Sequence, residues 1–511
     1  MLSAIFGKKS DHPLATVKSA QAMLDDLPTG DAYGSLAEIA DMVELLMKSN
    51  EFKLDHQLEM LRFLDEAAAQ YVRKMSREYF TPYELNKFQG NRLWLGLSSW
   101  SNQIASAYLE MYSRFCLTEK PNHTTKAQIP QLAVRSAHAL MWKLKYTCSH
   151  YGHVDNELWV SLLQIYKHAE QHQYLDSSES LSKSDAGGST VQAELSHMMI
   201  WNDAGLSVLS PKYIHLTERI LALFCGAIEF QTKPVHNSRI FFDLDKPAEP
   251  IRVNADSTSN SSIRFVGIVE MKSKLEDLIK VLNKNIVPND LNLGGSYEAD
   301  VVKEAAQYLL NYVIAPPVRR NARREVTVTM NVVNGFEQVV VKAEAWIGFD
   351  EEDSMEWVTE EISASGFSCV IPVKGAESVG IGSLLGIQPD GVSHWGAAVV
   401  RRLVRDDENH QLRIGAEILS NQIASVMVNE KDAIADSGHR ALWLYAREDA
   451  ATGEAQMLMQ ADTFSSSQSM QILLAGKNYL LMPNVLEEKG LDYDLAKFRF
   501  VVKEAASSEE S

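Results

Sequence analysis

Four cysteines, Cys116, Cys148, Cys225 and Cys369, lie far apart in 511 residues, and none belongs to a CxxC pair. Such a pattern builds neither a disulfide framework nor a zinc site. No apolar run approaches the roughly 20 residues that cross a bilayer. The amino terminus puts a short apolar patch ahead of its lysines and has no h-region, the wrong order for a secretory signal, so a reducing cytoplasm is the expected compartment. Positive charge is also scarce: 49 Lys and Arg stand against 67 Asp and Glu, a net charge of −18. A field of that sign repels polyanions and argues against broad binding to nucleic acid or anionic membrane, while leaving room for a local basic pocket. The sequence has no Walker A loop, no GxSxG elbow and no HExxH. Nothing in it supports an enzyme or implies a cofactor.

The length exceeds what one hydrophobic core usually organises, and 45% hydrophobic with 23% charged residues is ordinary for a globular chain. Several domains are expected. From about residue 35 to 230 the apolar residues recur at helical spacing; Leu54, Leu58, Leu61, Leu64, Ala68, Val72 and Met75 form one stripe at three- and four-residue steps. Residues 1–230 therefore read as an α-helical interaction domain. Trp159, Leu162, Leu163 and Tyr166 approximate the opening of a tetratricopeptide helix, but no 34-residue repeat surrounds them, so a helical-hairpin array and an irregular bundle both remain open. Ser177 to Thr190 reads as a loop. Residues 231–315 mix strand patterns (SRIFFDLDKP, EPIRVN, SIRFVGIVEM) with two helices, a connecting module.

After Pro317 the pattern becomes β-rich. EVTVTMNVV, the dipeptide Asn334-Gly335 and FEQVVVKAEAW together predict a hairpin. WVTEEIS, GFSCVIPV, LLGIQP, HWGAAVVRRLVR and LRIGAEIL follow as strands, spaced closely enough for a small antiparallel barrel over 316–428. Further strands over 429–511 are expected to form a β-rich extension with a disordered tail. The fold class is multidomain α+β.

Four arginines crowd into RRNARR, Arg319 to Arg324, just after Pro316 and Pro317, and EISASGFS follows about forty residues later. The first stretch contains Arg319-Arg320-x-x-x-Arg324; the second contains Glu361-x-Ser363-x-x-Gly366. This pairing resembles the PilZ domain, a small β-barrel that binds cyclic di-GMP through an RRxxxR arm and a (D/N)xSxxG turn. The arrangement as a whole is similar to a long bacterial type with a helical amino-terminal domain. The resemblance implies a ligand site made by Arg319, Arg320 and Arg324 with the extra cation Arg323, and by Glu361, Ser363 and Gly366. Glu361 stands where the family has Asp or Asn.

The chemistry suits such a ligand. An arginine fork matches a phosphate or the O6/N7 edge of guanine bidentately, and its plane stacks on a base. A carboxylate accepts from guanine N1–H and N2–H. The expected function is thus a non-catalytic effector that binds cyclic di-GMP and relays this to a protein partner of the helical domain. Two alternatives are a degenerate barrel acting as a protein-interaction scaffold, and a chaperone-like helical domain carrying a regulatory barrel. His168 and His172, one helical turn apart, and the glycines Gly380, Gly382 and Gly386 are read as a solvated helix face and as turn residues.

Overall fold

A computed structural model describes residues 12–28, 30–80, 86–118, 123–181, 187–225, 228, 230–235, 238–254, 257, 259–268, 270–315, 324–344, 354–376, 378–430, 438–445, 453–474 and 477–502. The chain divides into two compact units, Met1–Pro317 and Val318–Ser511.

The first unit is built on long helices. Leu54–Phe80 buries Leu58, Leu61, Leu64, Ala68, Val72 and Met75; this is the stripe read from the sequence. Lys87–Cys116 opens on a capping box between Asn86 and Gln89, and His123–Ser149, Asn156–Gln171 and Pro211–Phe224 complete the frame. Between the last two lies Val191–Asp203, buried on nearly every side from Val191 to Trp201. A helix without a polar face has no 3.6-residue alternation, which is why periodicity does not reveal it. One core extends from Leu14 to Tyr312. The four-stranded sheet of residues 230–267 and the helices Met271–Leu282 and Ala299–Ile314 therefore pack on the helical bundle through that shared core.

In the second unit six strands close into an antiparallel ring. Around it run Gly366–Pro372, Gln411–Ser420, Gly396–Asp406, Leu384–Pro389, Thr329–Asn334 and Met355–Ser363, which pairs back to Gly366–Pro372. Period-2 alternation buries Phe367, Cys369 and Ile371 on one strand and Leu412, Ile414 and Ala416 on the next. The extension is a second closed barrel of six strands, and it begins at Ile423 rather than after Val428.

The predicted hairpin at Asn334-Gly335 is corrected: Phe336–Glu344 is an α-helix. Gly335 takes a left-handed conformation (φ 97°), and the Phe336 N–H donates to Asp492 Oδ2 at 2.6 Å. Phe336, Val339 and Val340 then fall on one helical face, in a core shared with Val333, Leu384 and Val399 of the first barrel and Leu442, Leu458 and Tyr493 of the second. Packing between two barrels overrides the strand preference of three consecutive valines.

Candidate functional site

Residues 316–323, hence Arg319, Arg320 and Arg323 of the arm, lie outside the described residues. Arg324 is described and exposed. With Glu325 it forms a short strand antiparallel to Met355–Ser363, with Arg324 opposite Ile362 and Glu325 opposite Glu361. Arg324, the last residue of the first stretch, thus lies on a strand next to the second stretch. The join is sewn by a residue that motif reasoning missed. Buried Thr359 donates its hydroxyl to the Val326 carbonyl at 2.8 Å and accepts from the Val328 N–H at 2.9 Å. Its own N–H donates to the Val328 carbonyl. Residues 326–328, which leave the ladder between Arg324–Glu325 and Thr329–Asn334, are held by this side chain. A buried threonine in a strand gives no sequence signal separating it from an ordinary β-former.

Glu361 owes its aspect to a β-bulge. Opposite Gly366–Pro372 the register runs Ser363–Gly366, Ile362–Phe367, Glu361–Ser368 and then Thr359–Cys369, leaving Glu360 as the extra residue. Before the bulge Trp357 and Thr359 face the barrel interior; after it Ile362 takes the interior side with Phe367, and Glu361 and Ser363 take the opposite side with Ser368, which is itself buried. Glu360 pairs at 3.8 Å with Arg413.

The turn at 363–366 is locked from both ends. The Ser363 hydroxyl donates to the Gly366 carbonyl at 3.1 Å, and the Ser365 carbonyl accepts from the Ile418 N–H. Sequence reasoning assigns Gly366 to a tight turn. Its backbone is instead an ordinary strand conformation, and the need for glycine comes from approach: a Cβ there would stand 2.3 Å from the Ala416 carbonyl oxygen.

A second bulge, at Arg401, lies three strands away. Arg401 donates to Glu417 at 2.8 Å and bidentately to Glu488 of the second barrel at 2.6 Å per bond. Although burial pushes the Glu488 carboxyl up, these bonds hold it below the usual carboxylate range. Burial pushes the Cys369 thiol up to about 12, so it is no nucleophile.

The helical unit contains a separate buried ionic network without a nucleophile–base geometry. Lys145 Nζ donates to Glu218 at 2.6 Å and to His215 Nδ1 at 2.8 Å, while His215 Nε2 donates to the Leu293 carbonyl at 2.8 Å. Burial pulls the Lys145 ammonium down to about 8, and burial together with Lys145 holds His215 at about 3. Burial alone would raise Glu218; Arg219, Lys145, His197 and His215 pull it far below. His168 and His172 stack with ring centroids 4.1 Å apart, and His168 bonds to the Tyr174 hydroxyl. Among the described residues no three His, Cys, Asp or Glu side chains converge as metal ligands, and no helix is long and apolar enough to cross a membrane.

Comparison with curated proteins and with solved structures gave no match. Residues 18–235, somewhat under half of the chain, match the family model described as the N-terminal domain of the cyclic-di-GMP receptor FimW. The helical segment is therefore similar to that domain, and the match supports the likeness of the chain to a PilZ-like cyclic-di-GMP receptor with a helical amino-terminal domain.

Proposed function

We propose that this chain is a cytoplasmic, non-catalytic effector that binds cyclic di-GMP at its first barrel, beside the Glu361–Gly366 stretch, and relays binding to a protein partner of the helical domain. The observation that supports the reading is the register of Arg324-Glu325 against Glu361-Ile362, the last arginine of the first stretch beside the second stretch. In this reading Arg319, Arg320, Arg323 and Arg324 take phosphates and guanine O6/N7. Glu361 accepts from guanine N1–H and N2–H. Ser363 spends its proton on the Gly366 carbonyl, so toward the ligand it is an acceptor and faces a base N–H rather than a phosphate. Gly366 keeps the turn against the neighbouring strand. The arm follows the helix Ala299–Ile314 directly in sequence, and its engagement by the nucleotide is the step that reaches the partner surface.

Calorimetry of the full chain with cyclic di-GMP at moderate salt is the test. Saturable heat is expected, with at least tenfold weaker binding for Arg324→Ala; absence of heat from the wild type overturns the reading. A second reading, a barrel without nucleotide that serves as a scaffold, is favoured by Glu325 lying directly opposite Glu361 and by Glu360 beside it. Shortening the acceptor in Glu361→Asp separates the two: binding that appears or tightens supports the nucleotide site, and silence in both forms supports the scaffold.

A further inference from the structure

The outward row that begins at Glu325 and Glu361 continues around the barrel. Ser368 lies opposite Glu361, Gly415 opposite Ser368, and Arg402 opposite Gly415. Directly opposed residues share a face of the sheet, so one line runs from a pair of carboxylates, over a serine and a glycine, to a guanidinium. The floor is low because its two members are the smallest polar side chain and none at all; Ser368 is buried and Gly415 half-buried. A Cβ on Gly415 would come within 3.3 Å of Arg402 Cβ, so the glycine also leaves Arg402 room to lean across the trough.

Three interstrand steps separate Glu361 from Arg402, roughly 14 Å along the row at the usual strand spacing. Both ends are set by bulges. The extra residue Glu360 turns Glu361 outward, and the extra residue Arg401 gives Arg402 its place opposite Gly415. The neighbouring cations are already engaged: Arg401 by Glu417 and Glu488, Arg413 by Glu360, and Arg405 by Asp407 at 3.8 Å. Arg402 is exposed, and among the described residues it has no ion pair and no hydrogen bond. An uncommitted guanidinium facing two carboxylates across an uncharged floor matches a ligand with a phosphate at one end and a guanine edge at the other.

We infer that Arg402 is a further binding residue of the first barrel, holding a phosphate of the cyclic dinucleotide over the Ser368–Gly415 floor at the end opposite Glu361. This rests on the nucleotide reading above. It assigns a charge-bearing contact outside both sequence motifs and gives the ligand a direction: base edge toward Glu361, phosphate toward Arg402.

The test titrates the full-length wild type, Arg402→Ala, Arg402→Lys and Arg324→Ala with cyclic di-GMP by calorimetry, alongside thermal unfolding of each. Arg402→Ala is expected to bind at least tenfold more weakly while melting within about a degree of the wild type, since an exposed, unbonded side chain adds little to stability. Arg402→Lys, which keeps the charge and loses the fork, is expected to fall between. If Arg324→Ala is weakened and Arg402→Ala binds within twofold of the wild type, the Arg402 assignment is overturned while the nucleotide reading survives. If the wild type itself gives no heat, the nucleotide reading fails and the assignment fails with it.

Discussion

At the scale of single residues the site is organised by groups that do not resemble site residues. Thr359 satisfies a donor and an acceptor of the segment leading out of the arm. Thr359→Val keeps the shape and removes both bonds, leaving a carbonyl and an N–H unpaired beside a buried side chain. A loss of about 1–3 kcal/mol is expected in urea unfolding, together with faster hydrogen exchange at the Val328 amide; unchanged exchange there would argue against the stitching role. Gly366→Ala forces a methyl into the Ala416 carbonyl, and thermal melts are expected to show a comparable penalty or larger. A neutral result would mean that the two strands separate freely at that point. The need for glycine at 366 was legible from the motif; its cause was not, because strand-to-strand approach is a long-range property. The outward aspect of Glu361 was illegible for the same reason. It depends on one unpaired residue, Glu360, whose bulge is defined by the partner strand.

At the scale of elements, segments whose polar face and residue preferences agreed were readable, and those lacking either were not. Leu54–Phe80 and the strand Gln411–Ser420 announce themselves by periods of 3.6 and 2. Val191–Asp203 and Phe336–Glu344 do not. The first is buried all round, and the second carries β-branched residues into a helix because its partners are two barrels. The latter helix starts on a cap supplied from far along the chain, Asp492, more than 150 residues from Phe336. Asp492→Ala is expected to cost about 1 kcal/mol, the usual worth of a lost amino-terminal cap, measured as a lower unfolding midpoint. Asp492→Asn, which keeps the acceptor, is expected to recover most of it; equal losses in the two variants would show that the cap is not the cause.

At the scale of the whole molecule, the two units differ in how they hold charge. In the helical unit burial keeps His197 and His215 below the ordinary histidine value, about 6.5. Below that pH the unfolded chain binds more protons than the folded one, so stability falls as pH drops toward the depressed folded values, by up to roughly 1.4 kcal/mol per pH unit for each histidine. His138 has the opposite sign: burial opposes its charge, but Glu194 raises it. Its contribution is complete below the unfolded value and adds no slope there. The lowered carboxyls of Glu194 and Glu218 add their loss once pH falls below the ordinary glutamate value. Urea midpoints of the helical transition are therefore expected to fall between pH 7 and pH 5, less steeply in His215→Asn. A flat profile would contradict the burial of these rings.

In the second unit the barrels share one core through Phe336–Glu344. Residues 318–511 are expected to melt in one transition, whereas a chain ending at residue 421 exposes Val333, Leu384, Ala397 and Val399 and is expected to aggregate. Two separate transitions in the longer piece would refute a common core.

That common core also constrains descent. A barrel whose outer wall is another barrel's inner packing cannot be exchanged as a free module. A lineage that shed the second barrel would have to recolour Val333, Leu384, Ala397 and Val399 with polar side chains, and it would lose both the Glu488 partner of Arg401 and the cap of Phe336 in the same step. The pair is therefore a single unit of inheritance, and the first barrel is free to vary chiefly at residues, such as Arg402, that the partnership leaves uncommitted.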